Sequence, residues 1–173
     1  TIERTGIISL SGKDVTVIGP DIEVGQQAPD FKALATDWSE VDVLESTKGK
    51  VRIIGSLPSL STSVCDRETR RFNQEAASLG EEIAVITVSV DLPITQANWC
   101  GAAGIDNVQV VSDHFDVEFG TKYGCLIKER RWLRRAVFIV DQQGIVQYAA
   151  YMPVLGQEPD YDEVIAAAKK LVA

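Results

Sequence analysis

Three cysteines, Cys65, Cys100 and Cys125, and a single histidine, His114, are the residues of this chain best suited to nucleophilic or redox chemistry. Cys65 stands in the most suggestive setting. It ends the stretch Pro58-Ser59-Leu60-Ser61-Thr62-Ser63-Val64-Cys65. The residues before it, 51–57, are apolar and largely β-branched and read as a buried strand. After it, Cys65, Thr69, Phe72, Ala76 and Leu79 recur at helical steps, one face of a helix. Cys65 therefore falls where a strand ends, a loop turns and a helix begins. A helix N-terminus has unpaired N–H groups and partial positive charge, a setting that favours the reactive thiolate. Position alone leaves a second reading open, since cysteine on the apolar side of a helix is often only packing. Thr62 can set a hydroxyl beside the sulfur or act as a plain cap or turn residue.

The rest of the composition narrows the classes. A chain of 173 residues suits one domain, 1–173, with a full core. The net charge of −8 argues against a nucleic-acid surface. The one basic cluster, 128–135, is broken by Glu129, Trp132 and Leu133. No apolar run is long enough to span a membrane and no export signal is visible, so a cytoplasmic protein is expected; a signal removed ahead of Thr1 stays open. The cysteines are too few and dispersed for a disulfide scaffold or a zinc site, and there is no CxxC. No cofactor or metal is expected.

The elements that must position Cys65 follow in order. Residues 6–18 read as a hairpin about Ser11-Gly12-Lys13-Asp14, part of an N-terminal extension over 1–19. A short strand follows at 30–34, then a polar stretch to Lys50. After strand 51–57 and the helix 65–79 come a buried strand at 83–90 and a helix opened by Pro93, which carries Trp99 and Cys100 near its end. A short strand at 108–111, a short helix at 116–123, a hairpin of 135–140 with 145–151, and a last amphipathic helix at 160–171 complete the chain. This order describes an α/β fold: a thioredoxin-like sandwich with a mixed central sheet and helices on both faces.

At this point the motifs carry a family. The run PSLSTSVC resembles the P-x-x-x-T-x-x-C loop of peroxiredoxins. The segment 98–104, Asn-Trp-Cys-Gly-Ala-Ala-Gly, resembles the second-cysteine segment of their thiol peroxidase branch, the atypical two-cysteine peroxiredoxins. The run 134–141, RRAVFIVD, resembles the strand bringing the active-site arginine, and the N-terminal hairpin and VGQQAPDF match the same branch. The resemblance implies Cys65 as peroxidatic cysteine, Thr62 and Arg135 as its hydroxyl and guanidinium partners, Pro58 as a shield of the pocket and Cys100 as resolving cysteine. It further implies a thioredoxin-dependent peroxidase of hydrogen peroxide and alkyl hydroperoxides, usually a homodimer. Two departures stand out: Ser61 and Ser63 replace the more usual Asp and Pro, which suggests a looser loop, and Cys125 replaces the more usual Val.

Within this reading, backbone N–H groups at Val64 and Cys65 are expected to stabilise the departing oxygen. Strand alternation lets only one of Arg134 and Arg135 face Cys65, and the resemblance selects Arg135. Cys65 sulfenic acid would condense with Cys100 in one chain, after partial unwinding of both helices. Trp99 is read either as core or as a lip of the pocket, and His114 as noncatalytic. Cys125 is read as a small core residue. The rival reading is a thioredoxin-fold redox sensor or binding module with incidental peroxide reactivity.

Overall fold

The structure is a computed structural model that describes residues 1–172. In chain order its elements are β1 (Glu3–Leu10), β2 (Lys13–Ile18), β3 (Lys32–Leu34), β4 (Glu40–Asp42), α1 (Val43–Ser46), β5 (Val51–Ser56), α2 (Ser63–Leu79), β6 (Ile83–Ser89) and α3 (Pro93–Ala103). Then follow β7 (Gln109–Ser112), α4 (Glu118–Lys122), β8 (Leu126–Ile127), β9 (Trp132–Leu133), β10 (Ala136–Val140), β11 (Val146–Tyr151) and α5 (Tyr161–Lys170).

Seven strands form the main sheet in the order β11-β10-β5-β6-β7-β3-β4. The central β5, β6 and β7 run parallel, while β10 and β3 join them antiparallel. This is the expected mixed sheet. All six residues of β5 are buried, as a strand covered on both faces requires. Because successive side chains alternate, each central strand feeds two cores. Val51 and Ile53 join Val85, Val137 and Ile139 in one, beneath Cys65 and Phe72 of α2 and Val164, Ile165 and Ala168 of α5. Ile54, Ile86, Val88, Phe138 and Val140 enter the other, with Phe31, Val43, Leu44, Phe119 and Tyr123. Trp99 and Cys100 pack against the first core, so α2 and α3 lie on the same face of the sheet rather than flanking it.

The N-terminal hairpin is present but longer than its apolar pattern suggests. Its strands belong to a second sheet of order β1-β2-β8-β9. Two glycines allow the hairpin's end to close on the body. Gly19 has φ +89° and Gly124 φ +65°, and a Cβ on either would collide with a backbone carbonyl, of Thr121 or Pro20 respectively. This second sheet brings Trp132 over the loop that precedes α5. That contact builds one wall of the site.

Candidate active site

The site forms at the carboxyl ends of β5 and β6, where open α/β sheets place their ligands. Helix α2 begins at Ser63, not at Cys65, because Thr62 is the N-cap. Its Oγ1 accepts from the Cys65 N–H at 3.3 Å and donates to the Ser59 carbonyl at 3.2 Å. Cys65 is thus the third residue of the first turn, fully buried. Thr62 holds the backbone that carries the sulfur, and no hydrogen bond joins its hydroxyl to the sulfur itself. With the Cys65 N–H engaged, the N–H groups of Ser63 and Val64 are those without a partner among the described residues. Of the expected pair of Val64 and Cys65, the Cys65 N–H is thus engaged by Thr62 in this structure.

Arg135 comes to the sulfur from the residue just before β10. The alternation of that strand extends into the two preceding residues and sends its arginines to opposite faces. Arg134 joins the far side, where it meets Asp21 at 3.1 Å and lies 4.3 Å above the Tyr151 ring. Arg135 shares the face of Val137 and Ile139 and donates from Nη2 to Cys65 Sγ at 3.1 Å. Its Nη1 donates to Glu68 Oε2 at 2.5 Å and its Nε to the Leu155 carbonyl at 3.0 Å. Three contacts along the planar fork fix the guanidinium in one orientation.

Glu68 escaped the sequence reading. It lies one helical turn after Cys65 and is 1% exposed. Burial pushes its carboxyl up to about 7, and the neighbouring Arg135 charge pulls it back only in part. Its Oε1 is buried with no hydrogen-bond partner among the described residues. The available signal was an acidic residue beside Thr69 on the helix's inward stripe, where burial demands a cationic partner.

A mainly apolar pocket of about 190 Å³ opens beside the loop and the arginine that hold Cys65, whose buried side chain does not itself line it. Pro58, Thr62, Ser63 and Val64 line one side, with Arg135, Trp132, Leu155 and Gly156 around them. Pro58, read as a shield of the pocket, and the Val64 side chain both line it. Trp99 is not among the lining residues; the aromatic wall is Trp132, delivered by the second sheet. Trp99 instead packs between α3 and α2, with the Arg70 guanidinium 5.6 Å from its ring centre.

Cys100 is a free, half-buried thiol on α3, and burial raises its pKa. Its carbonyl accepts from the Ile105 N–H at 3.0 Å and also closes the helix through left-handed Gly104. Cys65 and Cys100 are not bonded here. Cys125 is also free and is fully buried, and that burial pushes its thiol up to about 12. His114 lies against Trp38 and Phe115, away from these residues. Among the described residues there is no cluster of candidate metal ligands, and no helix is long and apolar enough to cross a membrane.

Fold and site together define a thioredoxin-like protein organised about one buried cysteine and its arginine. The chain belongs to the AhpC/TSA family, whose model matches residues 24–149. It is 50% identical over 165 residues to the thiol peroxidase of Bacillus subtilis (strain 168), covering 95% of this chain and 98% of that one. To the thiol peroxidase of Halalkalibacterium halodurans it is 46% identical over 162 residues, covering 94% and 96%. A peroxiredoxin-like protein from Aquifex aeolicus superposes with a TM-score of 0.86 at 38% identity, covering 97% of each chain.

Proposed function

We propose that this protein is a thiol-dependent peroxidase that reduces hydrogen peroxide and alkyl hydroperoxides through Cys65. The observation that carries the reading is the 3.1 Å contact to the Cys65 sulfur from Arg135, which itself lines an apolar pocket. The relatives named thiol peroxidase over nearly the whole chain support it, and favour an enzyme over a redox sensor.

Small movements of the first turn admit the substrate, since Cys65 is fully buried. The Cys65 thiolate attacks the terminal peroxide oxygen. An S–O bond forms as the O–O bond breaks, sulfur gives up two electrons, and the leaving oxygen takes a proton to depart as alcohol or water. Arg135 accompanies the anionic sulfur and retains N–H donors for the incoming oxygen. The Ser63 and Val64 N–H groups are donors for the charge that develops as the bond breaks. The Thr62 hydroxyl can exchange the Ser59 carbonyl for a peroxide oxygen without leaving its loop. Pro58, Val64, Trp132 and Leu155 limit water and accommodate an alkyl group.

Cys65 sulfenic acid then condenses with Cys100, giving an intramolecular Cys65–Cys100 disulfide and releasing water. Cys100 is suited to this because α3 lies on the same face as α2 and its carbonyl belongs to the helix's last turn, which can open. The chain has no CxxC of its own, so the reducing dithiol comes from another protein, for which thioredoxin is the candidate. Trp38 and Phe115, 51% and 71% exposed, leave apolar surface consistent with a homodimer. A cytoplasmic location would supply such a reductant and is part of this proposal.

The test is NADPH oxidation with hydroperoxide, thioredoxin and thioredoxin reductase. Sustained turnover supports the peroxidase. One equivalent of NADPH consumed per protein would instead mark a sensor.

A further inference from the structure

We infer that Asp91 is a positioning residue for the Cys65 loop and ties that loop to the helix carrying Cys100. It stands after β6, outside the residues so far placed around the sulfur. Its Oδ1 accepts from Ser59 Oγ at 2.7 Å. Its Oδ2 accepts from the Leu60 N–H at 2.9 Å and from Ser89 Oγ at 2.7 Å. One carboxylate thus holds two consecutive residues of the loop between Pro58 and Thr62.

The connection continues in both directions. Ser59 Oγ also accepts from the Ser61 N–H at 3.1 Å, and the Ser59 carbonyl receives both the Thr62 N–H and hydroxyl, each at 3.2 Å. Thr62 in turn caps Cys65. On the other side, Gln96 is fully buried on α3 and donates from Nε2 to Ser89 Oγ at 3.0 Å and to the Val111 carbonyl at 2.9 Å. Gln96 lies one helical turn before Cys100 and on the same face. The Asp91 carbonyl is itself fixed by Ser112 Oγ. The anchored end of α3 is therefore linked to the loop of α2 through the Ser89 hydroxyl and the Asp91 carboxylate, while among the described residues the Cys100 end of α3 has no such side-chain anchor.

The consequence is a division of labour between the two half-reactions. Peroxide attack needs the capped loop, with Cys65 against Arg135. Disulfide formation needs Cys65 to leave that position. Asp91 stabilises the first arrangement and contributes nothing to the second once the loop has opened. Removing its charge therefore slows attack and leaves disulfide formation as fast or faster. This rests on the peroxidase reading above.

The experiment compares wild type, Asp91→Asn and Ser59→Ala by rapid mixing with hydrogen peroxide. Attack is measured in the Cys100→Ser background as the second-order rate of Cys65 oxidation. Disulfide formation is measured with Cys100 present, as the first-order appearance of the Cys65–Cys100 bond by quenched mass spectrometry. The expected result for Asp91→Asn is attack slower by about tenfold or more, the change represented by one lost hydrogen bond to a charged group, with disulfide formation no slower. Ser59→Ala keeps the Asp91–Ser89 contact and should shift the two rates in the same directions by less. Unchanged attack in Asp91→Asn, or equal slowing of both steps as from general destabilisation, would overturn the inference. A wild type that does not react with peroxide would instead defeat the underlying peroxidase reading.

Discussion

Replacing Arg135 by Ala separates what the arginine does for the fold from what it does for the sulfur. The side chain is 2% exposed and makes contacts with Cys65, Glu68 and the Leu155 carbonyl. Removing one partner of a buried ion pair costs about 3–5 kcal/mol, because the remaining charge is left uncompensated. Glu68 has an escape: burial already holds its carboxyl near 7, so without Arg135 it takes up a proton from neutral solution. The loss should therefore lie at the lower end, about 3 kcal/mol, or a melting temperature lower by roughly 6–12 °C for a chain of this size. Adding Glu68→Gln removes the orphaned acid and should recover about 1–2 kcal/mol, the scale of one unsatisfied buried group. The rate of Cys65 oxidation should behave differently. It should fall by about 10²–10³-fold in Arg135→Ala, the scale of losing a charge-stabilising donor, and stay there in the double variant. Thermal melts and stopped-flow oxidation of the same preparations give both quantities. If Glu68→Gln restored the rate along with the stability, Arg135 would be a structural counter-ion with no part in the chemistry.

Other outcomes follow from the same geometry. Arg135→Lys should retain part of the stability yet oxidise at least about tenfold more slowly than wild type, since one ammonium cannot span three partners held by a planar fork. Stability should depend on pH through Glu68: its folded value lies above the usual 4.5, so its contribution is complete below about 4.5 and is lost as pH rises through about 7. The stability advantage of wild type over Glu68→Gln should accordingly shrink between acidic and mildly alkaline pH, by on the order of 3 kcal/mol, in melts across that range. Cys100→Ser should consume one equivalent of peroxide, stall as sulfenic acid and overoxidise, with thioredoxin-linked turnover near zero. Oxidised wild type should run as a monomer on non-reducing denaturing gels, and a covalent dimer would exclude the intramolecular route.

Much of the site is legible in the sequence because it is local or periodic. The Thr62–Cys65 spacing offers a hydroxyl partner or a cap three residues before the sulfur, and the alternation about 134–140 lets only one arginine face it, with the family resemblance pointing to Arg135. The central strands show as continuous apolar runs since both their faces are buried. What escapes the sequence depends on contacts between distant segments. Trp132 and Leu133 form a strand of two residues, too short for any period to appear, and only pairing with β8 carries Trp132 to the pocket in place of Trp99. β4 and α1 fall in a polar stretch of the same kind, fixed by pairing and packing. Glu68 lies beside the inward stripe of its helix, but its partner Arg135 comes from 67 positions away, a pairing no local pattern shows. The serines at 59 and 89 carry no signal alone, and gain one only through the Asp91 carboxylate between them.

The central claim is that Cys65 is the residue oxidised by hydroperoxide. The most direct measurement mixes fully reduced protein with one equivalent of hydroperoxide, quenches within milliseconds in a sulfenic-acid trapping reagent, and maps the adduct by peptide mass spectrometry. The expected result is a trapped sulfenic acid on Cys65, replaced at later times by the Cys65–Cys100 peptide, and no oxidation in Cys65→Ser. Adduct first on Cys100 or Cys125, or undiminished peroxide consumption by Cys65→Ser, would contradict it.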